Sequence, residues 1–314
     1  MLPADKHSFA RAGESNRYVL GLRELNPMKA YEYIIAKQTQ WALNHGIPLV
    51  GSKGDRGRPA YTSDLNLNLF EPLTLDTRKN FEQGDGGEIN GNPAKMQAVH
   101  SSSALGVNVF QYWQNIQQIP VIAAACGFCR KGNNVSEKIV FEDKYPIDDN
   151  LKKFPVAPNI DVAFHNADSA QFKRFAVECK FSEAYSSQKH SGLKPAYLEL
   201  IQLWSDIPNL YDFAKSICPD ENYFYLHSAQ LIKHILGLKR KFGKNSFRLL
   251  YLWYDVLGKE GVIHRDEIEK FSEIAKADGI YFKAMSFQEL ILIMSKKYRQ
   301  EHASYIKYLS ERYL

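Results

Sequence analysis

Two short runs decide the reading of this chain: Pro158-Asn159-Ile160-Asp161-Val162-Ala163-Phe164 and, after a polar gap, Phe175-Ala176-Val177-Glu178-Cys179-Lys180-Phe181. Both are rich in β-branched and aromatic residues, and His165 to Lys173 between them is polar. The pattern predicts a β-hairpin. Side chains alternate faces along a strand, so Glu178 and Lys180 point the same way. Pairing of the two strands brings Asp161 to that face as well. Two carboxylates and an ammonium on a half-buried sheet cost free energy unless they serve each other or an ion. An edge hairpin with solvated charges is the plain alternative, and the D-x(n)-E-x-K spacing alone does not separate the two.

The chemistry this cluster suits is metal-assisted phosphodiester hydrolysis. Carboxylates are hard oxygen ligands that hold Mg²⁺ through one or two side chains, leaving room for water and a substrate phosphate. Such an ion acidifies water and offsets charge on the phosphate. A lysine one strand repeat from a carboxylate orients the attacking water or stabilises the charge that builds up. Asp161, Glu178 and Lys180 are therefore the candidate catalytic residues. Asp161 and Glu178 are candidate ligands for Mg²⁺, with Mn²⁺ as a substitute.

The D…E-x-K pattern with its Pro-Asn lead-in resembles the PD-(D/E)XK nuclease superfamily, which has the restriction-endonuclease-like fold. Pro158 stands three residues before Asp161 rather than beside it. The order of elements agrees with the superfamily core, α-β-β-β-α-β. Met96 to Trp113 reads as a helix, Lys138 to Ile147 as a strand, then come the two motif strands. Ser228 to Phe242 is a strongly periodic helix and Phe247 to Val256 a buried strand. The phrases His100 to Asn108, Glu178 to Glu183 and Ala229 to Leu238 are similar to a bacterial group of PD-(D/E)XK-like proteins.

The resemblance implies an α/β fold: a mixed central sheet flanked by helices, with helical N-terminal and C-terminal additions. It divides the chain into 1–95, a helical and loop-rich extension; 96–260, the nuclease-like core with an insertion at 186–226; and 261–314, an α/β extension on the core. The superfamily often adds an acidic residue from its first helix. No carboxylate lies between Met96 and Gln118, so Glu142 in the preceding strand is the candidate extra metal ligand. The helix after the E-x-K strand borders the active site in the superfamily. Gln230 and Lys233 are therefore candidate phosphate or supporting groups, and they share a helix face with His234. His100 is a candidate general base, with a packed or capping histidine as the alternative.

The remainder of the sequence agrees without deciding. There are 314 residues, 45% hydrophobic, with net charge +5. That mild excess is compatible with nucleic acid as partner, double-stranded DNA foremost. A non-catalytic nucleic-acid-binding protein on the same fold is the competing reading. Many double-strand cutters act as dimers, so a homodimer stays open beside a monomer. No run reaches the roughly 18 apolar residues of a membrane span, and the start lacks a signal-peptide segment, so no membrane and a cytoplasmic location are expected. Cys126-Gly127-Phe128-Cys129 has no second C-x-x-C to complete a zinc site and reads as a reduced pair in a Gly turn. Lys53, Arg56 and Arg58 form a basic turn in a stretch, 51–95, expected to be irregular. His264 to Asp278 is expected as a helix, Ile280 to Met285 as a strand, and Gln288 to Leu314 as one long helix.

Overall fold

The computed structural model describes residues 28–130, 135–150, 152–188 and 190–314. The first part of the helical and loop-rich extension expected over 1–95, residues 1–27, lies outside them. Helix α1 (Ala30–Asn44) is followed by a two-stranded antiparallel ribbon, β1 (Leu49–Val50) with β2 (Tyr61–Thr62), and by helix α2 (Leu75–Gln83). Helices α3 (Ser102–Asn115) and α4 (Ile119–Ala125) lead into strands β3 (Ser136–Lys144), β4 (Asn159–Asn166) and β5 (Arg174–Lys180). Three short helices, α5 (Pro195–Leu198), α6 (Ile201–Trp204) and α7 (Pro208–Ser216), fill the stretch before α8 (Ser228–Phe242). Then come β6 (Phe247–Trp253), α9 (Lys259–Ala277), β7 (Phe282–Ser286), α10 (Phe287–Tyr298) and α11 (Ala303–Tyr313).

The main sheet has the order β3-β4-β5-β6-β7. Its first three strands run antiparallel, and β6 and β7 each join in parallel. Parallel neighbours need a crossover; α8 supplies the first and α9 the second. The result is a mixed five-stranded sheet flanked by helices. Strand β6 (Phe-Arg-Leu-Leu-Tyr-Leu-Trp) is buried almost throughout, as a strand covered on both faces should be. Phe110 of α3 meets Phe164 edge-on, and Phe128 stacks on Phe175, so the hairpin is held down by aromatic contacts. Helix α8 passes so close to the end of β3 that a Cβ on Gly237 would stand 2.4 Å from the Tyr145 carbonyl oxygen. Only glycine fits there.

The expected hairpin and the helix Ser228–Phe242 form as read. Other boundaries move. The first core helix starts at Ser102, because Ser101 caps it by accepting the Ala104 N–H, and Lys95–Gln97 forms a separate 3₁₀ turn. The segment 51–95 is not wholly irregular: Thr74 caps α2, whose polar sequence hides one apolar anchor, Phe81, stacked on Phe141 of β3. The single terminal helix expected from Gln288 is two, α10 and α11, broken around Arg299 to His302. His302 is drawn into an aromatic cluster: Tyr112 OH lies 2.9 Å from its Nδ1, and Trp113 packs on its ring. Tyr305, one turn later, stacks on Tyr112.

Candidate active site

The backbone ladder between β4 and β5 runs from His165↔Arg174 to Val162↔Val177. One step further stand Asp161 and Glu178, on one face but no longer paired through the backbone. Asp161 Oδ2 instead accepts the Cys179 N–H at 2.7 Å. On the other side, the pairs Phe141↔Val162 and Asp143↔Ile160 bracket Glu142 and Asp161. Glu142 therefore lies opposite Asp161. The register aligns three carboxylates, Glu142, Asp161 and Glu178, across three adjacent strands.

Glu142 has φ +53°, the left-handed region, within a strand. For a non-glycine residue that costs on the order of 1–3 kcal/mol, and such outliers gather at functional sites. Its side chain turns past Gly84, where a Cβ would meet the Glu142 Cγ at 3.1 Å. Asn159 Nδ2 donates to Glu142 Oε2 at 3.1 Å. The expected extra carboxylate is thus beside the motif, in a conformation that the strand alone would not select.

Charge is unevenly shared along the row. Glu178 is fully buried; Lys180 Nζ approaches Oε1 at 2.6 Å and His234 Nε2 approaches Oε2 at 2.8 Å. Burial alone would raise the Glu178 carboxyl, but Lys180 and His234 outweigh it and hold it below the usual range. For Lys180, burial works against the ammonium, while Glu178 and Asp161 hold its pKa above the ordinary value. Asp161 has no such partner: burial, then Glu178, push its carboxyl well up. Glu142 is raised to about 7 by burial, then by Glu88 and Glu178. Like charges side by side in a sheltered site predict this pattern.

The remaining sequence candidates divide. Lys233 belongs to the same field: burial pushes its ammonium down, Glu178 opposes that, and Lys194 and Lys180 add to it. Gln230 is on α8, and none of the described hydrogen bonds or ion pairs uses its side chain. His100 precedes α3 and its cap rather than lying on the helix, as the helix expected from Met96 to Trp113 implied. Its ring sits edge-on to Tyr31 and Tyr61, and burial, then Arg58, bring its imidazole down to about 4. Asn108 is structural, bonded to Phe70, Asn68 and Tyr313. The basic end of α8 is tied to acids: Lys239 to Asp206 and Arg240 to Asp149. Arg58 of the basic turn pairs with Glu32.

Three acidic or basic groups at the site escaped the sequence reading as site residues. His234 was visible as the α8 residue sharing a face with Gln230 and Lys233. Glu183 follows the motif strand, is raised by burial, and accepts the Phe181 N–H at 3.2 Å. Glu88, half-buried and set in a Gly-rich segment with no periodic signal, acts on Glu142 and accepts from Ser103 Oγ at 3.1 Å. Glu88, Glu183 and His100 also line an adjoining cleft of about 1180 Å³, together with Ser102, Tyr185 and His190.

Lys180 and His234 lie at contact distance from Glu178, one at each oxygen, and each oxygen keeps a further lone pair. The Asn159 Oδ1 is buried without a partner. These are hard oxygen donors beside mutually repelling carboxylates, which fit Mg²⁺ or Mn²⁺. Among the described residues, no three His, Cys, Asp or Glu side chains close into a ready-made cage. Cys126 and Cys129 are free thiols flanking Gly127 (φ +78°), and burial pushes the Cys126 thiol up.

A mixed sheet flanked by helices, with this row on one face, is consistent with a restriction-endonuclease-like protein. The chain belongs to the family described as Restriction Endonuclease associating with ARP, which it matches over residues 34–314. No curated protein and no solved structure matches it. Among the described residues, no helix is long and apolar enough to cross a membrane.

Proposed function

We propose that this protein is a PD-(D/E)XK-type nuclease that hydrolyses phosphodiester bonds of DNA with Mg²⁺, or Mn²⁺ in its place. The observation that carries the reading is the row Glu142–Asp161–Glu178 with Lys180 on the same sheet face. The family's description as a restriction endonuclease supports the choice of nucleic acid as substrate, and its described association with ARP makes ARP a proposed partner.

Asp161 and Glu178 would hold the ion, and Glu142 adds a third carboxylate to the field. Asp161 is oriented by the Cys179 N–H, so its second oxygen is free to bind. The ion lowers the pKa of water and offsets charge on the scissile phosphate. Lys180, kept charged by Glu178 and Asp161, orients the attacking water and stabilises the negative charge of the transition state. The high proton affinity of Asp161 and Glu142 falls when a cation occupies the row, because the cation supplies the charge that burial withholds.

The test is cleavage of supercoiled plasmid and of linear duplex with Mg²⁺ or Mn²⁺, beside the Asp161→Ala and Lys180→Ala proteins. Wild type should consume substrate and both variants should not, while remaining folded. An Asp161→Ala protein that cuts as well as wild type would sink the assignment.

A further inference from the structure

We infer that His234 is the positioning residue for Glu178 and sets how tightly the row holds a divalent ion. This rests on the reading of the row as a metal-dependent nuclease site. His234 lies on α8, its side chain 1% exposed, between the buried Leu231 and Ile235 on one helix face. A polar ring so placed needs a partner. Glu178 Oε2 stands 2.8 Å from Nε2, and among the described residues neither ring nitrogen has a hydrogen bond elsewhere.

Glu178 is thereby gripped at both oxygens by groups of different mobility. Lys180 Nζ, at Oε1, rides on a flexible four-carbon stem and must also face the substrate phosphate. His234, at Oε2, is a short planar side chain on a helix that is itself fixed. Gly237, one turn on, brings α8 against the Tyr145 carbonyl, which sets the distance between helix and sheet. Oε2 is the anchored oxygen, and Oε1 is the one a cation shares with Lys180. Without His234 the carboxylate would swing with the lysine. Groups that orient a metal-binding side chain in this way typically govern affinity by about 10–100-fold.

The experiment is Mn²⁺ titration of the DNA-free protein, followed by electron paramagnetic resonance or calorimetry, for wild type, His234→Ala and His234→Gln. Cleavage rate against Mg²⁺ concentration is measured in parallel. His234→Ala should weaken Mn²⁺ roughly 10–100-fold. It should raise the Mg²⁺ needed for half-maximal cleavage more than it lowers the rate at saturation. His234→Gln, whose amide can donate to the same oxygen, should recover most of the affinity. Wild-type binding retained by His234→Ala overturns the inference. So does His234→Gln binding as weakly as His234→Ala, since a packing effect would then suffice. Wild type that binds no Mn²⁺ instead overturns the metal reading of the row itself.

Discussion

Two places in this molecule bury charge, and their surroundings treat it differently. Arg312 of α11 is 1% exposed and, among the described residues, has no carboxylate partner. Nε donates to Gln38 Oε1, Nη1 to the Asn68 carbonyl and Tyr308 hydroxyl, and Nη2 to Asn68 Oδ1 and the Val99 carbonyl. All five guanidinium N–H groups are therefore used. Trp41 lies against its face at 4.3 Å. In the row Glu142–Asp161–Glu178 only Glu178 is fully buried, the carboxylates repel each other, and Asp161 and Glu142 have no cation in contact among the described residues. A satisfied network rigidifies a fold, and an unsatisfied one is a reserve that a ligand can draw on. The Arg312 site ties α1, α11 and the segment around Asn68 into one unit; the row, on the proposed reading, is where a cation would supply the missing positive charge.

The sharpest way to break the comparison is to remove the Arg312 charge. Arg312→Met should cost on the order of 3 kcal/mol or more, because several buried acceptors lose their donor together. Urea unfolding would show it, and a loss under 1 kcal/mol would mean that the network is replaceable. Next comes the helix that carries His234. Gly237→Ala forces a methyl to 2.4 Å from a carbonyl oxygen, and overpacking of this kind costs roughly 1–3 kcal/mol. The same variant should weaken Mn²⁺ binding if the position of α8 matters to Glu178.

Changes in the row should act in the opposite sense on stability. Glu142→Gln removes one of three repelling carboxylates, so the metal-free protein should melt higher at pH 8 than wild type. Unchanged or lower melting would show that Glu142 is not strained by its neighbours' charge. The effect should fade as pH falls. The folded-state carboxyl of Glu142 holds its proton up to about pH 7, whereas its ordinary value is 4.5. It therefore contributes stability that is fully present below pH 4.5 and is lost as pH rises through 7. Melting of wild type minus Glu142→Gln, measured without metal from pH 4 to 8, should fall over that window. Millimolar Mg²⁺ should flatten the fall.

Legibility in the sequence followed the strength of the local signal. The hairpin and α8 were readable because alternation and 3.6-residue periodicity are imposed by burial against one sheet. Asp161, Glu178 and Lys180 were readable because their spacing in those strands fixes a common face. Glu142 was readable as a carboxylate on the right strand, but its left-handed backbone was not, since nothing local asks glutamate for φ +53°. Glu88 comes to the site by tertiary packing of a Gly-rich segment, which has no period to read. Helix α2 was hidden by its polarity, with Phe81 as its main buried apolar residue. The break between α10 and α11 carries no Gly or Pro; it is made by His302 and Tyr305 finding Tyr112 and Trp113 from another part of the chain.

The Cys179 amide is held by a side chain, Asp161, where a neighbouring strand would ordinarily hold it. That makes one backbone proton a gauge of the carboxylate beneath it. Its nitrogen and proton resonances should move when Asp161 gains a proton or a cation, while those of Val177, inside the regular ladder, stay still. Occupancy of the row could then be followed in solution, residue by residue, with no DNA present and no bond cut.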